Sequence, residues 1–188
     1  KSTWFKFLIG VHPKRSLPTL HSQTLGQWFP SVQQKKYSKN VYLFCDEYTN
    51  HFDVEIGKKT ILLLNVLGYN VVIPAHPESA RAYISKGFLD QAKSIARENI
   101  NTFSNLVSKD RPLVGIEPSA ILGFRDEYPN LVDVELKSNA ENLAQNVFTI
   151  EEFLANEMTA NKIDVSKFTI KTETVYYHGH CHQKALSS

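Results

Sequence analysis

The sequence predicts an α/β fold: a parallel sheet flanked by helices, preceded by an irregular N-terminal arm. Two observations carry this. Three short apolar runs, Val41-Tyr42-Leu43-Phe44-Cys45, Asn70-Val71-Val72-Ile73-Pro74 and Pro112-Leu113-Val114-Gly115-Ile116, have the continuous hydrophobicity of strands covered on both faces. The segments between them carry helical periodicity. Strand–helix–strand alternation is the order that builds a parallel sheet with right-handed crossovers.

Residues 1–40 make up the arm. They contain Pro13, Pro18, Pro30 and the polar stretch Gln33-Gln34-Lys35-Lys36 without sustained periodicity. A short helix fits Ser22–Trp28, where Leu25, Trp28 and Phe29 share a face. After the first strand, Val54 to Leu67 reads as a helix stopped by Gly68, and Pro74 closes the second strand. Gly87–Lys109 is the clearest helix, with Phe88, Ala92, Ile95, Ala96, Ile100, Phe103 and Val107 at helical spacing. Pro118, just past the third strand, suits the first turn of another helix. Further on, Glu141–Val147 and Ile150–Met158 read as short helices, and Phe168-Thr169-Ile170 and Thr174–Tyr177 as strands. The domain proper is thus expected over residues 41–188.

Bulk properties fit this organisation. A chain of 188 residues suits one α/β domain with an attached arm. Its 21 basic and 19 acidic residues give no reason to expect nucleic acid as a partner. No apolar run approaches the ~18 residues of a membrane span. Lys at position 1, the lone Met158 and an end that falls just after a motif together suggest a piece of a longer polypeptide. The two cysteines, Cys45 and Cys181, cannot build a disulfide framework or a four-cysteine site. Their first reading is two unrelated thiols in a reducing compartment.

In parallel sheets ligands gather at the loops after the strand C-termini. Three loops qualify here: Cys45–His51, His76–Lys86 and Glu117–Ser119. The densest chemistry lies further on, in His178-Gly179-His180-Cys181-His182. If a helix starts near His182, Cys181 sits at its positive end, which favours thiolate. The run reads equally well as a histidine-rich turn without a ligand. Glu117-Pro118-Ser119 can open a helix and offer backbone N–H groups to an anion, although a capped helix with surface ion pairs is the plainer reading. His76, Glu78, Arg81 and Lys86 could bind a carboxylate or simply fill a solvated loop. No Gly-rich phosphate loop occurs.

Taken together, these pieces resemble a known family. Arg15-Ser16-Leu17-Pro18 with Gln23-Thr24 and Trp28-Phe29 resembles the linker ahead of the cysteine-rich domain in FAD-linked glycolate and D-lactate dehydrogenase-type proteins. Val41–Phe44 with Asp46, Ile84-Ser85-Lys86-Gly87-Phe88-Leu89, Glu117-Pro118-Ser119 and Arg125-Asp126-Glu127-Tyr128 continue the likeness. His178–Leu186 is similar to the opening of the family's second cysteine-rich repeat. The domain type is the CCG domain, also found in heterodisulfide reductase subunits and anaerobic glycerol-3-phosphate dehydrogenase.

The resemblance implies paired repeats whose cysteines hold an iron–sulfur cluster, next to an FAD domain that oxidises a 2-hydroxy acid. It also implies two partners, the flavin domain of the same polypeptide and a redox partner. The implied location is cytoplasmic, at most peripheral at the inner face of the membrane. Departures from the pattern are specific. Glu78-Ser79 stand where the family has adjacent cysteines, Ala120 where it has Pro-Ser-Cys, and Glu47 at about the first-loop ligand position. Only Cys181 matches cleanly, and it is the one metal ligand expected. Oxygen donors are poor ligands for such clusters, so this repeat is expected to be degenerate in cluster binding. The cofactor-binding candidates are Cys181, His180, His182, Cys45, Glu78, Arg81, Glu117 and Ser119, and no catalytic residue is expected. Lacking a flavin-binding segment, the chain alone is expected to be inactive. Two rivals remain: a non-redox scaffold that docks a flavoprotein partner, and a small metal module using His76, Glu78, His180 and Cys181.

Overall fold

The computed structural model describes residues 3–169 and 171–186. Its centre is a four-stranded, all-parallel sheet in the order β2-β1-β3-β4. The strands are β1 (Lys39–Phe44), β2 (Tyr69–Val72), β3 (Leu113–Gly115) and β4 (Val147–Thr149). The helices, in chain order, are α1 (Thr3–Leu8), α2 (Leu25–Trp28), α3 (Glu47–His51), α4 (Val54–Val66), α5 (Arg81–Lys86) and α6 (Leu89–Phe103). They continue as α7 (Pro118–Ile121), α8 (Glu127–Leu131), α9 (Val134–Ala144), α10 (Ile150–Thr159) and α11 (Cys181–Leu186).

Alternation along β1 explains why its Val41–Phe44 run is apolar. Val41 and Leu43 enter one core with Leu25, Ile61, Leu64 and Phe153, on the α2, α4 and α10 side. Tyr42 and Phe44 enter the other, with Ile100, Phe103, Phe124 and Tyr128, on the α6, α8 and α9 side. The chain leaves β1 toward β2 and later returns to pair β3 on β1's other edge, with Tyr42 opposite Leu113. Strand order therefore reverses between β1 and β3, which marks the C-terminal ends of these strands as the place for a site. Gly115 lets this end close up: a Cβ there would come 2.4 Å from Ile121 Cβ.

The fold class and the first three strands match expectation, as does the Gly68 stop, where φ is 95°. The later chain corrects the sequence reading. The segment expected as a helix over 141–147 ends as strand β4, because Val147 enters one core, Phe148 packs against the other, and the buried Thr149 caps α10. The helix lies earlier, at Val134–Ala144. Thr174–Tyr177 is not a strand: no sheet edge reaches it, and Tyr176 is 95% exposed. Phe168 and Thr169 are likewise not in a strand, and Ile170 lies outside the described residues. The long helix is shorter than its pattern, and the arm gains α1, whose apolar residues are all exposed or half-buried. Among the described residues no helix is long and apolar enough to cross a membrane.

Candidate functional site at the strand ends

The loop after β1 turns on Asp46, the N-cap of α3. Its carboxylate accepts from Tyr48 N and Thr49 N, each at 2.9 Å, and from Thr49 Oγ1 at 2.6 Å. It is also buried, and burial pushes its pKa up to about 6 against the pull of those bonds. Cys45 beside it is pushed up to about 12, first by burial and then by the Asp46 charge, so it remains a thiol.

Cys45 N donates to His76 Nε2 at 3.2 Å, from the loop after β2. That bond makes Nε2 an acceptor, so Nδ1 carries the proton that it shares with Pro77 O at 2.7 Å. The ring stacks on Phe44 at 4.5 Å between centroids, and burial lowers its pKa. Both nitrogens of this neutral imidazole are therefore committed.

Next along the loop, Ser79 gives Glu47 two hydrogen bonds, from N to Oε2 at 3.0 Å and from Oγ to Oε1 at 2.7 Å. Below them Tyr128, fully buried, donates to Ser79 O at 2.9 Å and accepts from Asn99 Nδ2 at 3.0 Å. Asn99 Nδ2 also donates to Glu78 O at 2.9 Å. Ala80, only 1% exposed, adopts a left-handed conformation with φ of 61°. Such a backbone suits glycine.

After β3, Glu117 caps α7 by accepting from Ser119 N at 3.1 Å and Ser119 Oγ at 2.7 Å. Ala120 is buried in the core and offers no donor. The tail helix α11 packs on α7 and on the short turn Leu122–Phe124. His182 Nε2 lies 3.6 Å from Glu127 Oε1, and Glu127 also pairs with Arg81 from the second loop. Arg125, fixed by Glu152 at 2.9 and 3.0 Å, reaches Leu186 O at 3.4 Å. Cys181 is exposed at the first position of α11, and His180 Nδ1 accepts from His182 N at 3.2 Å.

The sequence-derived candidates thus fall into separate pairs: Cys45 with His76, Glu117 with Ser119, Arg81 with His182 through Glu127, and Glu78 tied by its carbonyl to Asn99. Sequence reasoning missed Asp46 as a buried carboxylate and Asn99 as the hub beneath Ser79. Glu127 and Tyr128 had a signal, the charged Arg125–Tyr128 run, but that run alone could not say that both point inward.

The rim does not fit a four-thiolate iron–sulfur cluster. At the positions the resemblance marks, Glu47 and Ser79 are bonded to each other, and Ala120 presents a methyl group. Among the described residues no three His, Cys, Asp or Glu side chains meet as a metal group, and the set His76, Glu78, His180 and Cys181 is not assembled. A cavity of about 240 Å³, lined by Lys39, Tyr69, Lys109 and Glu157, opens at the other end of the strands.

The chain is 24% identical over 177 residues to D-2-hydroxyglutarate dehydrogenase of Escherichia coli (strain K12), covering 90% of this chain and 16% of that protein. It is 26% identical over 184 residues to one of the subunits of anaerobic glycerol-3-phosphate dehydrogenase from the same organism, covering 94% and 44%. It is 26% identical over 149 residues to lactate utilization protein A of Geobacillus kaustophilus (strain HTA426), covering 78% and 59%. The relatives are dehydrogenases and a lactate-utilization protein. The chain spans under a fifth of the first and less than half of the second. No family model and no solved structure matches.

Proposed function

We propose that this chain is the electron-transfer region of an FAD-linked 2-hydroxy-acid oxidoreductase of the glycolate or D-lactate type, in a form whose rim docks a partner domain. The flavin, held elsewhere in the parent protein, takes the hydride. This region's own residues supply a rigid platform at the strand ends. The Glu47–Ser79 pair carries the reading, since side chains at two expected ligand positions are spent on each other. Exposed apolar residues on the rim loops support docking: Tyr48 on α3, Phe52 just past its end, and Phe88 and Leu89 at the start of α6.

The test is made in the parent protein. Tyr48→Ser with Phe52→Ser is expected to leave flavin reduction by the hydroxy acid unchanged and to slow reduction of the downstream acceptor several-fold. Unaltered acceptor reduction in that variant, and in one lacking residues 41–186, would remove the docking role.

A further inference from the structure

We infer that α11 is a detachable strap, tied across the strand-end rim by Leu186, Arg125 and Glu127 and by no metal. Among the described residues three contacts hold it. Leu186 packs against the core that contains Ala120, Leu122 and Phe124. Arg125, anchored by Glu152 and by Val147 O at 2.8 Å, holds the Leu186 carbonyl. Glu127 stands between Arg81 of the second loop and His182 of the strap, so one carboxylate links two segments about a hundred residues apart in sequence.

These ties are few and incomplete. Among the described residues neither Glu127 Oε2 nor His182 Nδ1, both buried, has a hydrogen-bond partner. Orphaned buried polar atoms favour the open state, where water satisfies them. The chain leading in from 171 to 178 has no regular structure and is exposed, so little of it resists lifting. Lifting α11 uncovers α7, the Leu122–Phe124 turn and the Arg81–Glu127 pair, a surface with an apolar floor and charged edge. The strap therefore covers part of the rim until it moves.

Hydrogen exchange on the full chain, followed by mass spectrometry, tests this. In the native chain, amides of residues 181–186 should exchange much faster than those of α6, and added EDTA should leave that rate unchanged. Leu186→Ala and, separately, His182→Gln should each speed exchange in 181–186 by roughly tenfold, the effect of losing one tie of ordinary strength. Both changes lie on the strap itself, and unaltered protection of α6 reports that the domain still folds. Strap exchange as slow as that of α6, or unmoved by either variant, overturns the proposal. Faster strap exchange with EDTA, or slowing by added ferrous or zinc ions, would show a metal tie and overturn it equally.

Discussion

At the scale of single residues, the rim carries two features that cost stability. Ala80 holds a left-handed backbone that costs an L-residue with a Cβ on the order of 1–2 kcal/mol and costs glycine almost nothing. Its burial leaves no alternative conformation without moving the Ser79 hydrogen bonds. Ala80→Gly is therefore expected to raise stability by about 1 kcal/mol in denaturant titration, with the loss of one buried methyl as the opposing effect. A lower denaturation midpoint would show that the left-handed turn is not the strained element. Asp46 is the second feature. Its folded-state pKa of about 6 lies above the ordinary carboxylate value of 3.8, so the native state binds the proton more tightly than the unfolded chain. Stability from this group is full below pH 4 and is lost as pH rises through 6, by on the order of 3 kcal/mol. Asp46→Asn keeps the capping oxygen and cannot ionise. The variant should gain on the native protein steadily from pH 4 to pH 7 in thermal melts. A constant difference across that range would refute the buried charge as its cause.

At the scale of elements, local signals and tertiary context divided the chain between them. β1 and β3 were legible because Val41–Phe44 and Leu113–Gly115 are buried on both faces and carry no charged or strongly polar side chain; the α4 stop was legible because Gly68 needs a positive φ. β4 was not legible. It is three residues long, and Val147-Phe148-Thr149 between helical segments looks like more helix until β3 supplies a pairing edge. Thr174–Tyr177 is the converse, since strong strand propensity without an edge leaves it irregular. At the site, the loops could be named from strand order, but their side-chain pairings needed three dimensions: Glu47 finds Ser79 across 32 positions and Arg81 finds Glu127 across 46. The β4–α10 junction is decided by a capping box in which Thr149 Oγ1 accepts from Glu152 N at 3.3 Å while Glu152 Oε2 accepts from Thr149 N at 2.9 Å. Thr149→Ala should cost about 1–2 kcal/mol, whereas Thr149→Ser, which keeps the acceptor, should lose less than half of that. Equal losses in calorimetry would assign the effect to the buried methyl.

At the scale of the whole molecule, the framework and the ligands are separable. The sheet is held by two apolar cores, one on each face, and neither depends on a metal to close. A cluster-bearing domain of this shape would need thiolates where strand order reverses. Here the thiol of Cys45 is kept protonated by burial, Cys181 stands exposed on the strap, and the carboxylate of Glu47 and hydroxyl of Ser79 satisfy each other. The full chain, purified without oxygen, should accordingly be colourless, hold far less than one iron per molecule and melt at the same temperature with or without a chelator. Iron and acid-labile sulfide assays on the anaerobic protein check this. A brown protein with stoichiometric iron and sulfide would mean that the rim rearranges to admit a cluster. The Glu47–Ser79 bonds would then have to break, and Glu47→Gln, which weakens them, should increase iron uptake; a metal-free rim predicts no uptake in either form.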